Sequence, residues 1–552
     1  MDQARVFVAI ALSFAVFLLW EIFFVDKQVV ETPKQDLQTE TISKEELYIK
    51  EINTESVDHT ALIKEDALKT IKPPRVVRVN TPLYSAIISE KGAVFKSFVL
   101  NKYKESMEPD SPLLEMIPPE LYNGTIKISL AENSVPALND ALFMTDIKDD
   151  SIEIYDNSRE LSFFWKSSNG IVIEKKFLFY PETYMVGCKV IIKNGSNQTI
   201  QDNLILSLFK ASAENGSMYG FEGPSALIND NLEQVKTDDI EDKNIYSGEL
   251  KWIAVQDRYF MSCIIPESAV TASMRLFLDK DNVLENQFVQ PESIINPGTQ
   301  RTFGFHLFMG PRSTKVVKEI GYDLDKAINF GMFDFLAKPC LWLMNFLHDH
   351  FISNYGIAII ILTIFTKVLL WPLGAKSYKS MNEMKKIQPL VMEIREKYKG
   401  DKKKMNEATM SLYKTYKVNP VGGCLPMVLQ IPVFFALYRM LYEAIELRHA
   451  PFFGWINDLS APDRLFDFGF SIPFMQPPYG IPVLTIIMGA TMFLQQKISP
   501  AMGDPSQAKI MMLMPIVFTV IFINFSSGLV LYWLVNNVLS ISQQYYTTTK
   551  AA

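Results

Sequence analysis

The chain has 552 residues, 48% of them hydrophobic and 12% aromatic, with a formal net charge of −7. That length exceeds what one hydrophobic core organises and points to two or more domains. The charge is divided: residues 336–552 hold 20 Lys and Arg against 12 Asp and Glu, so an acidic front is joined to a basic, apolar back, and a single soluble globule in one environment is excluded.

Residues 6–25 form an apolar stretch of about 20 residues, the length of one membrane span. Only Glu21 interrupts it, and Arg5 precedes it. The bulky run Trp20-Glu21-Ile22-Phe23-Phe24 offers no small-residue cleavage site. An uncleaved signal-anchor over 1–25 is therefore predicted. Residues 26–72 are polar and charged with few aromatics, the composition of a flexible tether.

From 73 to 325 the pattern changes to period two. Segments 75–79, 126–130, 151–155, 161–165, 171–180 and 184–193 read as strands, and turn signals such as Asn194-Gly195-Ser196 separate them. Together they predict a large antiparallel β-sandwich, with helical periodicity only near its end, at 314–328. The four cysteines, Cys188, Cys263, Cys340 and Cys424, form no CxxC motif, which leaves zinc and thioredoxin readings without support. Cys188 and Cys263 are either a pair in an oxidising compartment or two free buried thiols.

Residues 330–351 are rich in aromatics but carry Asp334, Lys338, Pro339 and Asp349. A helix lying at a membrane surface over 326–352 suits that mixture. His348-Asp349-His350 lacks further ligands, so no metal site is expected.

Five apolar segments follow, at 356–372, 421–442, 480–498, 510–523 and 528–541. Together they predict a five-helix membrane core over 353–549. The first contains Lys367. A charge at membrane depth costs about 2.5–3.5 kcal/mol on insertion scales, so it persists where it reaches water, a partner or a substrate. Pro372 lies five residues on, about 7–8 Å along a helix, so a lysine stem snorkelling to the headgroups is the alternative reading.

Residues 376–417 hold 12 Lys and Arg against 5 Asp and Glu, which assigns them to the cytoplasm. Both termini are then cytoplasmic and the β-domain lies outside, in the periplasm of a bacterium with two membranes. Ile387, Leu390, Val391, Ile394 and Tyr398 recur at helical spacing, as do Met405, Leu412 and Tyr416 after a break at Lys399-Gly400-Asp401. A cytoplasmic helical hairpin over 376–420 is predicted. Its tip, Lys402, Lys403 and Lys404, either sets topology and solubility or docks a polyanion such as anionic lipid, a ribosome or the RNA of a targeting particle.

The core segments also carry Thr363, Gln430, Gln495, Gln496, Thr519, Asn524, Asn536 and Asn537. Polar side chains in lipid face the bundle interior or a wet cavity. Each alone is interhelical glue; with Lys367 they predict a hydrated groove. Segment 510–523 spans about 21 Å against a hydrocarbon core of about 30 Å, so it thins the bilayer locally. It is rich in methionine; Met511 and Met514, with Met427, suit variable hydrophobic partners. No GxSxG, HExxH or phosphate loop occurs, so neither enzymatic chemistry nor a cofactor is expected.

Several runs then coincide: Asn419-Pro420-Val421-Gly422-Gly423-Cys424-Leu425-Pro426, Gln430-Ile431-Pro432, Glu446-Leu447-Arg448, Asp458-Leu459-Ser460, Met488-Gly489-Ala490-Thr491-Met492 and Ser527-Gly528-Leu529-Val530-Leu531-Tyr532-Trp533. With these the chain resembles the YidC/Oxa/Alb membrane-protein insertases of the Gram-negative type, over its whole length. The resemblance implies a five-helix core with a hydrophilic groove, open to the cytosol and lipid and closed to the outside. The family's groove charge, usually arginine, corresponds to Lys367, and its substrate-contacting aromatics to Tyr532 and Trp533. It implies a periplasmic β-sandwich similar to mutarotase folds, in which His306 is the one histidine here.

The expectation is an inner-membrane insertase and chaperone without covalent chemistry. Its partners would be nascent membrane proteins, the phospholipid bilayer, the Sec translocon and a ribosome or targeting particle, with no specific DNA binding. Two other readings compete with it. A transporter or anion channel would use Lys367 as its pathway charge, but no inverted repeat is visible. A membrane-anchored carbohydrate enzyme would leave the polar core unexplained.

Overall fold

The computed structural model describes residues 74–145, 147–211, 220–419, 425–498 and 505–550. The expected anchor at 1–25 and tether at 26–72 lie outside the described residues.

Residues 76–311 are mostly β-sheet. A five-stranded sheet runs in the order Leu113–Glu115, Val94–Lys104, Tyr84–Ser89, Val76–Asn80 and Ser151–Glu153; its last pair is parallel. A larger antiparallel sheet carries, as consecutive neighbours, Ile245–Gln256, Phe260–Pro266, Gln300–Pro311, Met185–Asn194, Ile171–Phe179 and Arg159–Lys166. The alternation read from the sequence sets which face is buried. In Met185–Asn194, Val186, Cys188, Val190 and Ile192 point inward while Lys189 and Lys193 point out. The two sheets meet through aromatic rings, with Phe95 edge-on to Phe177 at 5.1 Å. Fully burying such a side chain stabilises by roughly 1.5–3 kcal/mol.

One inward position breaks the apolar rule. On Ile171–Phe179 the buried residues include Ile171, Ile173, Lys175, Phe177 and Phe179. The Lys175 ammonium donates to Ala93 O at 2.6 Å and Ile126 O at 2.9 Å, both ahead of strands on neighbouring parts of the fold. Burial pushes its pKa down to about 8. Of the two cysteine readings, the structure has free buried thiols. Cys188 pairs opposite Phe305 and Cys263 opposite Phe308, so the strand Gln300–Pro311 lies between them.

The helical part contains α1 (Thr314–Ile320), α2 (Asp334–His350), α3 (Tyr355–Leu369), α4 (Trp371–Lys397), α5 (Lys402–Thr415), α6 (Leu425–Glu443), α7 (Val483–Ile498), α8 (Pro505–Phe522) and α9 (Ser527–Lys550). The single segment expected at 356–372 is broken: α3 and α4 bend by 63°. Pro372 explains the break, because it supplies no N–H and fits only the first turn of a new helix. Among the described residues no single helix is long and apolar enough to cross a membrane; the bent pair α3–α4 passes that test together, and α7 and Met511–Phe522 are shorter apolar helices. The predicted amphipathic helix at 326–352 corresponds to α2, which buries Ala337, Leu341 and Met344 and exposes Phe335 and Trp342.

The β-domain is joined to the helices by three arginines, of which Arg312 is buried and Arg258 and Arg448 are half-buried. Arg258 donates to Tyr442 O at 2.7 Å and lies over the Tyr442 ring. Arg312 donates to Asp257 O and Ala327 O and faces the Glu443 carboxylate at 3.8 Å. Arg448 donates to Lys104 O and Glu105 O. The end of α6 is thereby seated against the β-domain.

Candidate functional site

Lys367 lies near the end of α3 and is 7% exposed. It does not turn outward: Nζ donates to Ser540 Oγ at 2.6 Å, across to α9. The Ser540 hydroxyl donates to Asn536 O at 2.7 Å, one turn back on its own helix, which leaves its lone pairs to the ammonium. Among the described residues no carboxylate forms an ion pair with Lys367, so the amine is held by the Ser540 hydroxyl rather than by a counter-charge.

Polar groups extend from this pair in both directions. Thr363 is buried one turn before Lys367, its hydroxyl donating to Ile359 O at 2.6 Å. Asn537 reaches α7, where its amide donates to Thr491 Oγ1 at 3.3 Å. Further along α9, Gln543 donates to Trp371 O at 2.9 Å. A side chain at Gly374 would meet the Gln543 amide at 2.8 Å, so a glycine there lets the glutamine reach the α3–α4 bend. Asn536, Asn537, Ser540, Gln543 and Gln544 recur at helical spacing, which gives α9 a polar stripe along several turns.

The predicted polar set is only partly gathered here. Thr363 lies one turn before Lys367 on α3, and Asn536 one turn before its partner Ser540 on α9. Gln430 on α6, and Gln495 and Gln496 in the last turns of α7, are half-buried. Thr519 packs against α7, where a Cβ on Gly489 would lie 2.1 Å from its hydroxyl oxygen. Asn524 belongs elsewhere. Its Oδ1 accepts from Arg464 and from Gln476 N, and its Nδ2 donates to Phe474 O, so its amide holds the α6–α7 loop. Gln543 and Gln544 lie beyond 541, where the apolar count ends the last segment, whereas α9 continues to Lys550; Ser540 lies inside that segment, where a small hydroxyl carries little signal in an apolar run.

The expected contact aromatics diverge, as neighbours on a helix must. Tyr532 is buried, whereas Trp533 wedges among Phe434 of α6 and Phe518 and Phe522 of α8, with ring centroids at 4.7, 6.2 and 4.8 Å. Met511 and Met514 are half-buried on α8; the side chain of Met427 lies outside the described residues. At the hairpin tip Asp401 caps α5, accepting from Lys404 N at 3.1 Å. Lys403 and Lys404 are exposed, and the side chain of Lys402 is outside the described residues. Among the described residues no cluster of His, Cys, Asp and Glu is arranged to hold a metal.

Two family models match the chain. One is described as 60Kd inner membrane protein and covers residues 346–552; the other, described as YidC periplasmic domain, covers residues 76–343. The chain is 42% identical over 480 residues to a membrane protein insertase YidC from Syntrophus aciditrophicus, with 86% of this chain and 85% of that protein covered. It is 37% identical over 557 residues to a protein of the same name from Syntrophobacter fumaroxidans, with both chains covered in full. Among solved structures, a crystal structure of an active YidC insertase with its first transmembrane domain resolved aligns over 86% of this chain and 94% of that one, at 20% identity and a TM-score of 0.37.

Proposed function

The chain belongs to the YidC family of membrane protein insertases, and from that premise we propose that it inserts newly made inner-membrane proteins through a hydrophilic groove between α3, α4, α7 and α9, with Lys367 as the groove's cation. One observation carries the reading: a buried ammonium is held by the Ser540 hydroxyl and has no carboxylate partner among the described residues. Such a charge is available to an incoming acidic group.

The mechanism is solvation, not covalent chemistry. A polar backbone or side-chain group entering hydrocarbon without a partner costs several kcal/mol. The α9 stripe offers such a segment hydroxyls and amides partway across, and Lys367 attracts its carboxylates. The apolar part of the substrate then leaves along Met511, Met514 and Trp533 into lipid. Helices α7 and α8 span about 24–27 Å against a core of about 30 Å, so a thinned bilayer shortens the path.

The topology proposed with this function puts the β-domain in the periplasm and α2 on the membrane surface, its exposed Phe335 and Trp342 toward lipid. The α4–α5 hairpin and both termini are cytoplasmic. In this reading Lys402, Lys403 and Lys404 meet a ribosome or targeting particle, and the chain works alone or beside the Sec translocon. The test is photocrosslinking from Asn536 and Tyr532 to ribosome-bound nascent membrane proteins in inverted vesicles. Adducts whose yield rises while the substrate is partly inserted are expected. Adducts to lipid alone from both positions would remove the groove from the pathway.

A further inference from the structure

The loop between α6 and α7 exposes an unusual set of aromatic side chains: Phe466 is 69%, Phe468 40%, Phe470 62% and Phe474 80% exposed. A freely moving loop would have no reason to hold these rings in place, and this one is held. Arg464 donates to Pro478 O, Asp463 O and Ile523 O, each at 2.8 Å. Leu465 and Ile481 exchange backbone hydrogen bonds at 2.9 Å, and Phe468 N donates to Tyr479 O at 2.8 Å. Asn524, which the polar pattern had assigned to the groove, grips the loop at Phe474 O and Gln476 N. The rings of Phe468 and Phe470 stack at 5.7 Å.

The anchoring points say what covers this surface. Asp463 accepts from Leu484 N at 2.5 Å and so ties the loop to the start of α7; Ile523 and Asn524 tie it to the end of α8. These two helices are the short apolar ones. Their outer sides are apolar too, with Ile486 and Ile487 exposed on α7 and Ile516 and Val520 exposed on α8. The exposed phenylalanines are therefore tied to the ends of two apolar helices that are shorter than a hydrocarbon core of about 30 Å. Exposed phenyl rings gathered in this way need a cover, and phenylalanines beside a polar group such as the exposed Asp467 suit the boundary between acyl chains and headgroups.

We propose that residues 464–481 form a rigid aromatic wedge seated in the outer leaflet of the bilayer, lengthening the lipid-facing surface of α7 and α8 by packing phenyl rings at their outer ends. The wedge sets the depth of the two short helices and holds the thinned patch of bilayer in register with the groove. The proposal rests on the membrane-embedded reading of the helical core given above.

The test is spin-label accessibility in the full chain, with Cys340→Ala and Cys424→Ala, reconstituted in phosphatidylethanolamine and phosphatidylglycerol vesicles. Single labels go at Phe470→Cys, Phe474→Cys, Ile516→Cys on α8, and the exposed Ser106→Cys of the β-domain. Collisions with oxygen, which partitions into lipid, are compared with collisions with a water-soluble nickel chelate. An oxygen-to-nickel ratio above one at 470, 474 and 516 and below one at 106 is expected. A ratio below one at 470 and 474 with 516 still above one overturns the wedge and leaves the membrane core standing. Exclusion of both reagents at 470 and 474 also overturns it, in favour of a protein cover. A ratio below one at 516 refutes the embedded core itself.

Discussion

The Lys367 ammonium and the Ser540 hydroxyl, 173 residues apart, meet at 2.6 Å where α3 faces α9. The contact sets the direction in which the lysine side chain points. An amine that snorkelled to the headgroups would extend toward the helix end; this one turns sideways into a polar seam. Ser540 gives its own proton to Asn536 O, so it meets the lysine as an acceptor. The amine is held in position, and among the described residues no carboxylate pairs with it.

From that follows a charge-specific effect on substrates. Lys367→Glu is expected to slow insertion of a substrate with an acidic tail by about tenfold or more, the effect of roughly 1.4 kcal/mol of lost attraction, while a neutral-tailed version changes little. Lys367→Arg retains the charge and most of the rate. Protease protection in reconstituted vesicles reads both substrates. Equal loss for the two tails would take Lys367 out of substrate recognition.

Gly489 and Thr519 make a second test, of the packing between α7 and α8. A Cβ at 489 would lie 2.1 Å from the Thr519 hydroxyl oxygen and 3.2 Å from its Cβ. Gly489→Ala must therefore push the helices apart, an overpacking cost of about 1–3 kcal/mol, visible as a lower melting temperature in detergent. Adding Thr519→Ala removes the nearer obstruction and is expected to restore part of the loss. No recovery in the double variant would mean that the glycine is needed for another reason.

The β-domain was legible in the sequence because burial on one face of a strand writes itself as alternation, and Val186, Cys188, Val190 and Ile192 follow it residue by residue. The helical part was less so, for two physical reasons. A run of apolar residues does not reveal a bend, so the break before Trp371 was hidden although Pro372 marked it. An apolar count also ends a helix where its polar face widens, which cut α9 short of Gln543 and Gln544. Asn524 shows a third limit: polarity inside an apolar run says that a side chain needs a partner, not which partner, and its partners were loop carbonyls and amides.

Glu443 at the end of α6 is shared by Arg439 at 2.7 Å and Arg312 at 3.8 Å. Both Glu443 and Arg312 are buried. Glu443→Ala removes the carboxylate that faces the buried Arg312 guanidinium, a loss of up to about 3–5 kcal/mol for a broken buried pair. The seam between the β-domain and α6 is then expected to open more often, and limited proteolysis of the segment 321–331 to run at least several-fold faster. Glu443→Gln keeps an acceptor oxygen and should fall between the two. Unchanged cleavage in Glu443→Ala would show that Arg258 and Arg448 hold the seam by themselves.

Lys175 provides a pH signature for the sandwich. Burial takes its pKa from the ordinary lysine value of 10.5 to about 8 in the folded state. Between those values the unfolded chain holds a proton that the folded chain has released, so stability rises with pH across this window and is lowest below about 8. Each pKa unit is worth about 1.4 kcal/mol, which bounds the rise at a few kcal/mol. Denaturant unfolding of the full chain, followed through the β-sheet signal in far-ultraviolet circular dichroism, is expected to show a midpoint that climbs from pH 7 to pH 10. Other lysines and tyrosines titrate in the same range, so the comparison is with Lys175→Met, which fills the site with an unbranched side chain and has no proton to lose. The climb should be smaller in that variant by the amount Lys175 contributes. If the two midpoints rise in parallel, the ammonium is fully accommodated by Ala93 O and Ile126 O and stores no cost in the core.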